Sequence, residues 1–361
     1  MKNWQEKYRN KKVFITGHTG FKGAWLVYWL HQMGAQVKAF ALAAEENSLY
    51  HTMNGDALCE SVVGDIRDAD HLYQEVTAFQ PDFVFHLAAQ SLVRESYRES
   101  RYTFEVNSMG TVNLLEALRG VHKKCSVVII TTDKVYENQE VMRPYKEEDR
   151  LGGYDPYSAS KACAELITQC YRNAFFNTAD YAHHQKAIAT ARAGNVIGGG
   201  DWAEDRLIPD IARSLANGIP LIIRSPHAIR PWQHVLEPLC GYLLLGIRLS
   251  EEPITFSEGW NFGPDIEDNL TVQEMVEKAL AIWGSGTYEI QASKENFHEA
   301  GLLKLDIEKT KMRLAWTPAF TADVAVQRTM QWYRDFLAAP ERVADWLARD
   351  IEAYTQVAIK V

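Results

Sequence analysis

A doubly wound α/β fold, with a mostly parallel sheet covered by helices on both faces, is predicted from three features of this chain. Short apolar, β-branched runs alternate with helical patterns through the first half. Those runs lack the strict polar–apolar alternation of a sheet with one face in water. A glycine triplet, Gly17, Gly20 and Gly23, also sits where the first run passes into the first helical pattern.

The first run, Val13-Phe14-Ile15, reads as a strand, and residues 21–33 read as a helix. The turn between them calls for glycine. Gly17 permits a tight turn, Gly20 lets backbone approach a ligand, and Gly23 lets the helix pack closely on the strand. The helix start then offers free N–H groups and a partial positive charge to a diphosphate. Further strands are expected at 37–42, 61–63, 83–87 and 127–131, with helices at 69–79 and 103–119. Right-handed crossovers complete the parallel layer. Pro156 suits the first turn of a helix that Asp155 can cap, which makes 156–174 the next helix. After about residue 190 the rhythm loosens. GNVIGGGDW and RSPHAIRPW are loop-like stretches of the kind that carry binding. Helices are expected again at 271–283 and 322–355. The expected organisation is a dinucleotide-binding domain over 1–190 with a return segment near 233–256. A smaller C-terminal α/β substrate domain is built from 191–232 and 257–361.

The 361 residues are 47% apolar and 24% charged, with a formal net charge of −9. No block of lysine or arginine stands out, so neither nucleic acid nor a membrane surface is the expected partner. The N-terminal stretch is polar and lacks a signal-peptide core, and LCGYLLLGIRL around Leu239 to Leu249 is too short to span a bilayer. Cys59, Cys125, Cys163, Cys170 and Cys240 show no metal-ligand spacing and read as buried free thiols in a reducing cytoplasm. His183 and His184 are adjacent but have no cysteine or carboxylate set around them, so no metal is expected.

Tyr157 and Lys161 are four residues apart, on one face of the helix that starts at Pro156. A free phenol titrates near pH ~10, and a neighbouring ammonium is expected to lower that value. A tyrosine so tuned takes a proton from a sugar hydroxyl while a cofactor accepts hydride. Standing alone, such a pair usually means little.

Together, Gly17-x-x-Gly20-x-x-Gly23 and Tyr157-x-x-x-Lys161 resemble the extended short-chain dehydrogenase/reductase family of NAD-dependent epimerases and dehydratases. The likeness runs over nearly the whole chain. It implies a Rossmann-type fold with NAD as cofactor, and cofactor contacts from Gly17, Gly20, Phe21 and Gly23. It also implies contacts from Asp65 and Ile66 in VVGDIRD at the adenine, from Leu87, Ala88 and Ala89 in HLAAQ, from Asn107, and from Tyr157 and Lys161. Gln90, Asn195, Arg206, Leu207, Arg230 and His298 fall where the family holds its sugar nucleotide. The second strand ends at Ala41 or Leu42, with Glu45 only later, so no acidic side chain stands ready for the ribose 2′-hydroxyl. No arginine waits there for a 2′-phosphate either. NAD is favoured because a dehydratase recycles its cofactor internally.

Thr131-Thr132-Asp133-Lys134 separates the family's reactions. Epimerases of this fold carry small residues where Asp133 and Lys134 stand, and nucleotide-sugar 4,6-dehydratases carry Thr-Asp-Glu. Here Lys134 replaces the glutamate. With LGGYDPYSASKACAEL and GNVIGGGDWAEDRLIPD, that departure resembles the dehydratase branch acting on CDP-glucose. The implied product is a 4-keto-6-deoxy sugar, early in 3,6-dideoxyhexose synthesis for O-antigen and lipopolysaccharide. Oxidation at C4 makes H5 acidic, a base removes it, an acid helps the C6 hydroxyl leave, and the stored hydride returns to C6. The resemblance assigns Tyr157 and Thr132 to the C4 hydroxyl, and Lys161 to Tyr157 and the nicotinamide ribose. A protonated Asp133, its pKa raised by burial, goes to the C6 hydroxyl. Two roles stay open for Lys134: a neutral amine that removes H5, or an ammonium that stabilises the enolate. Helices 103–119 and 156–174 are the implied interface of a homodimer or homotetramer. The competing readings are a dehydratase for another nucleotide sugar, an NAD-dependent epimerase, and a non-catalytic dinucleotide sensor. Retention of Tyr157, Lys161, Thr132 and Asp133 weighs against the sensor.

Overall fold

The computed structural model describes residues 4–139, 141–291 and 303–358. Among them, seven parallel strands form one sheet: β1 Lys12–Thr16, β2 Gln36–Ala41, β3 Glu60–Val63, β4 Phe83–His86, β5 Cys125–Ile130, β6 Lys186–Ala193 and β7 Gly259–Phe262. Their order is β7-β6-β5-β4-β1-β2-β3. The order reverses between β1 and β4, which pair Val13 with Phe83 through Thr16 with His86. In such sheets the crevice beyond the carboxyl ends at this reversal is where ligands bind.

Both faces of the sheet are covered, which explains the continuous apolar runs. Phe14, Val84, Val127 and Ile129 enter one core, while Val13, Ile15, Phe85, Val128 and Ile130 enter the other. The first helices, α1 Phe21–Gln32 and α2 Ala69–Phe79, fall where the periodicity places them. The expected helix over 103–119 is composite. Ser100–Phe104 is α-helical, Glu105–Met109 forms a π turn, and α3, Gly110–Arg119, continues it. The next helix, α4 Pro156–Ala174, begins as its sequence requires: Asp155 accepts from the Ser158 amide at 2.9 Å and the Ser158 hydroxyl at 2.6 Å.

The sheet extends past the expected boundaries, because β6 runs to Ala193 and β7 brings 259–262 into the layer, beyond the return segment near 233–256. Two helices follow β6: α5 Leu207–Asn217, and α6 Leu236–Glu251, which packs on β5 and β6. Short ladders pair Leu221–Ile223 with Tyr288–Ile290 and Ile229–Arg230 with Leu270–Thr271. A Thr271–Glu274 capping box opens α7, Val272–Trp283. The helix expected over 322–355 is two helices, α8 Ala322–Ala338 and α9 Val343–Ala358. Pro340 lacks an amide donor and forces Ala339 out of helical geometry, to φ −152° and ψ 70°. The expectation of uniformly buried thiols is also corrected. Cys125 and Cys240 are buried, Cys59 and Cys163 are partly so, and Cys170 is exposed. No helix among the described residues is long and apolar enough to cross a membrane.

Candidate active site

A cleft of about 710 Å³ opens at the carboxyl end of the sheet, where the order reverses. One wall is the β1–α1 turn. Gly17 has φ +78°, and a Cβ there would stand 2.6 Å from the Ala88 amide nitrogen. A Cβ on Gly23 would stand 2.2 Å from the Gly17 carbonyl oxygen, so the helix packs on the turn only with glycine at that position. At Gly20 a Cβ would meet nothing closer than 3.5 Å, so that residue faces open cleft. Gly20 also caps α1 without a side-chain bond, which leaves the first-turn amides available to an anion. Phe21, Asp65, Ile66, Leu87, Ala88 and Ala89 continue the wall. These residues fit a dinucleotide: an uncapped helix start faces the cleft beside a long, mixed polar and apolar wall. Asp65 comes to the cleft already paired, with Arg67 bonding it at 2.7, 3.0 and 3.1 Å.

The other wall carries chemistry. Past β5 the chain tightens into a single turn, Asp133–Val135. Thr132 Oγ1 donates to Asp133 Oδ1 at 2.9 Å, and Lys134 Nζ reaches the same oxygen at 3.4 Å. Asp133 is fully buried, and its Oδ2 has no partner among the described residues. Tyr157 and Lys161 approach from α4, one turn apart. Burial pushes the Tyr157 phenol up to about 12; Thr132 and Arg206 pull it down, and Asp133 raises it further. The expected lowering by Lys161 is therefore corrected for the protein by itself. Lys161 Nζ is turned onto the Ile130 carbonyl at 2.8 Å, and burial lowers it to about 8 against the opposing charge of Glu165.

Beneath this wall lies a buried ion pair. Glu165 accepts from Arg192 at 2.8 and 3.0 Å, from Thr131 at 2.5 Å and from Thr190 at 2.7 Å. Burial pushes its carboxyl up, but Arg192 and these hydroxyls outweigh burial and hold it below the usual range. Arg192 also bonds the Tyr136 hydroxyl at 2.7 Å. The network ties α4, β5 and β6 together directly under Thr132 and Asp133.

The third side is the substrate end. Asn195 lies there with φ +38° and a buried amide nitrogen that has no partner among the described residues. Arg206 bonds Asp201 at 2.9 Å and Ser91 at 2.9 Å. Leu207 and Arg230 line the same space. His298 lies outside the described residues. Gln90 and Asn107 are not among the residues that line this cleft. Gln90 spends its amide on Leu92 and Thr103, and Asn107 bonds Gln90 and Ser160. They brace the end of β4 against the π turn and α4. Lys22 was missed in the sequence. It lines the cleft from within the glycine turn, and a charged side chain between two glycines was the available signal.

The family model described as GDP-mannose 4,6 dehydratase matches residues 14–245. A CDP-glucose 4,6-dehydratase of Salmonella typhimurium is 49% identical over 331 residues, covering 91% of this chain and 92% of the relative. A dTDP-glucose 4,6-dehydratase of Haemophilus influenzae is 25% identical over 89% of this chain and 97% of the relative. Among solved structures, a dTDP-glucose 4,6-dehydratase of Streptomyces venezuelae with NAD bound superposes with a TM-score of 0.76 at 25% identity, covering 90% of this chain and 97% of that one.

Proposed function

The chain belongs to the GDP-mannose 4,6 dehydratase family, within the extended short-chain dehydrogenases/reductases, and from that premise we propose that it removes water from CDP-glucose to give the 4-keto-6-deoxy sugar. The observation that carries this reading is the convergence of Thr132, Asp133, Lys134, Tyr157 and Lys161 on one cleft. An epimerase needs the tyrosine and lysine; loss of water needs the acid and a further proton acceptor as well.

NAD would supply the hydride acceptor for the sugar's C4 hydrogen and, once reduced, the hydride donor for C6. The chain's own residues handle the protons. Tyr157 and Thr132 hold the C4 hydroxyl, and Tyr157, once ionised to the phenolate, receives its proton. Lys161 is fixed by the Ile130 carbonyl and would anchor the sugar end of the cofactor. Asp133 has one oxygen bonded by Thr132 and Lys134 and, among the described residues, one without a donor, so a proton has a place on the second oxygen. That protonated acid serves the departing C6 hydroxyl. Lys134, drawn to Asp133, acts at C5. Arg206, Arg230 and Asn195 are the donors for the diphosphate of the sugar nucleotide.

Self-association is part of the proposal. Phe104, Met109 and Leu166 are exposed on the two helical segments, and they form one apolar patch with Ile167 and Cys163. A second copy of the chain is the occupant this patch suits.

The test is a substrate screen. CDP-, dTDP-, UDP- and GDP-linked hexoses are incubated with and without added NAD, and products are separated by chromatography and read by mass and proton NMR. Loss of one water from CDP-glucose alone supports the reading, and an isobaric stereoisomer as product overturns it.

A further inference from the structure

Lys22 is the second residue of α1 and lines the cleft from inside the turn that would hold the cofactor. Its surroundings are unusual for an ammonium. Among the described residues it has no hydrogen-bonding or ion-pairing partner, and its Nζ lies 6.0 Å from the ring centroid of buried Tyr242 on α6. Tyr242's own hydroxyl is likewise buried without a partner. The charges that face Lys22 come from three other elements: Arg206 ahead of α5, Lys161 on α4, and Asp133 and Lys134 after β5. Three of those four are cations. Burial, then Arg206 and Lys161, bring the Lys22 amine down to about 7, with Asp133 opposing and Lys134 adding to the fall.

An amine placed this way responds to any further charge in the cleft. The oxidised nicotinamide ring is a cation, and the reduced ring is neutral. The three cations that face it are each held by an acceptor: Lys161 by Ile130, Lys134 by Asp133, and Arg206 by Asp201. Among the described residues Lys22 alone of these four lacks one, so no acceptor holds its proton in place as the ring charge changes.

We propose that Lys22 sets the cleft's preference between the two cofactor states, standing as a neutral amine beside the oxidised ring and taking up a proton when the ring is neutral. This rests on the reading of the cleft as an NAD site. Its consequence is thermodynamic linkage: a proton bound more tightly with one ligand makes that ligand bind more tightly as pH falls. The reduced cofactor is favoured at low pH, and the preference declines as pH rises through the Lys22 titration. A separation of one pKa unit between the two complexes changes the affinity ratio by about tenfold.

The experiment measures dissociation constants of NADH and NAD with the purified enzyme, without substrate, across the neutral pH range. In the unaltered protein the NADH-to-NAD affinity ratio is expected to fall several-fold or more, centred near the Lys22 titration, and to level off on either side. Lys22→Met removes that fall. Lys22→Arg holds the ratio high at every pH, because a guanidinium keeps its charge. Lys161 titrates higher and leaves its own, separate change in all three proteins. A flat ratio in the unaltered protein, or an unchanged fall in Lys22→Met, overturns the proposal while leaving the cofactor site standing. Failure of either cofactor form to bind at any pH overturns both.

Discussion

Gly194 is pressed against Asp133. A methyl group at 194 would stand 2.0 Å from Asp133 Oδ2 and 2.3 Å from its Cγ. No rotation of a fully buried carboxyl absorbs such an overlap, so Gly194→Ala displaces the group assigned to the C6 hydroxyl. Turnover is expected to fall by about 10²–10⁴, the range for one misplaced acid. Overpacking also costs about 1–3 kcal/mol of stability. Steady-state rates with a denaturant titration check both; a variant with ordinary turnover removes Asp133 from the mechanism.

Tyr157→Phe keeps the ring and deletes the hydroxyl. Burial already resists ionisation of this phenol, so its proton-accepting role depends on close neighbours, and phenylalanine has no substitute. The expected loss in turnover is about 10²–10⁴. CDP-glucose carrying deuterium at C4 reads the same step directly. In the unaltered enzyme the label appears on the product methyl group, and its absence there refutes internal transfer of that hydrogen.

Lys134 sits 3.4 Å from Asp133 with its side chain 31% exposed. Exchange of H5 with deuterated water separates its two possible roles. If the amine removes H5, Lys134→Met abolishes exchange; if the ammonium steadies the enolate, exchange slows but persists. Undiminished exchange rejects both roles. Lys134→Arg discriminates further, since a guanidinium can stabilise an enolate but cannot act as the base.

How far the sequence carries depends on how local each signal is. The glycine turn, the Asp155-Pro156 helix start and the Tyr157–Lys161 spacing are settled within a few residues, and each stands in the structure where its local chemistry requires. Pro340 was equally local, and it breaks a helix that apolar periodicity alone runs through. The rest is long-range. Arg192 and Glu165 are 27 residues apart and meet only because β6 pairs with β5 over α4. Gln90 and Asn107 carry the polar groups of ligand-binding residues, yet the fold spends them on each other and on Thr103 and Ser160. Lys22 looks like an ordinary helix-start lysine until the fold surrounds it with three cations.

Glu237, on α6, offers a test of the scaffold independent of catalysis. Its Oε1 accepts from the Ala319 and Phe320 amides at 2.9 and 2.6 Å, and its Oε2 from the Tyr354 hydroxyl at 2.8 Å, which pins α9 and the 319–320 loop to the helix under the cleft. Burial nonetheless raises its carboxyl from 4.5 to about 7, against those three donors. The folded state therefore holds a proton that the unfolded chain releases above about pH 4.5. Between these values the folded protein binds more protons, so this group's contribution to stability falls as pH rises and is constant above about pH 7. The span corresponds to about 3 kcal/mol. Buried His18, His86 and His234 act with the opposite sign, losing stability as pH falls below about 6.5, since burial lowers them to about 4, 3 and 3. They are common to both proteins compared here and cancel. The difference in unfolding free energy between the unaltered protein and Glu237→Gln, followed by urea titration from about pH 5 to about pH 8, is expected to move against the unaltered protein up to about pH 7 and then level off. A difference that stays level across that range means Glu237 is ionised in the fold throughout, and that its three donors outweigh its burial.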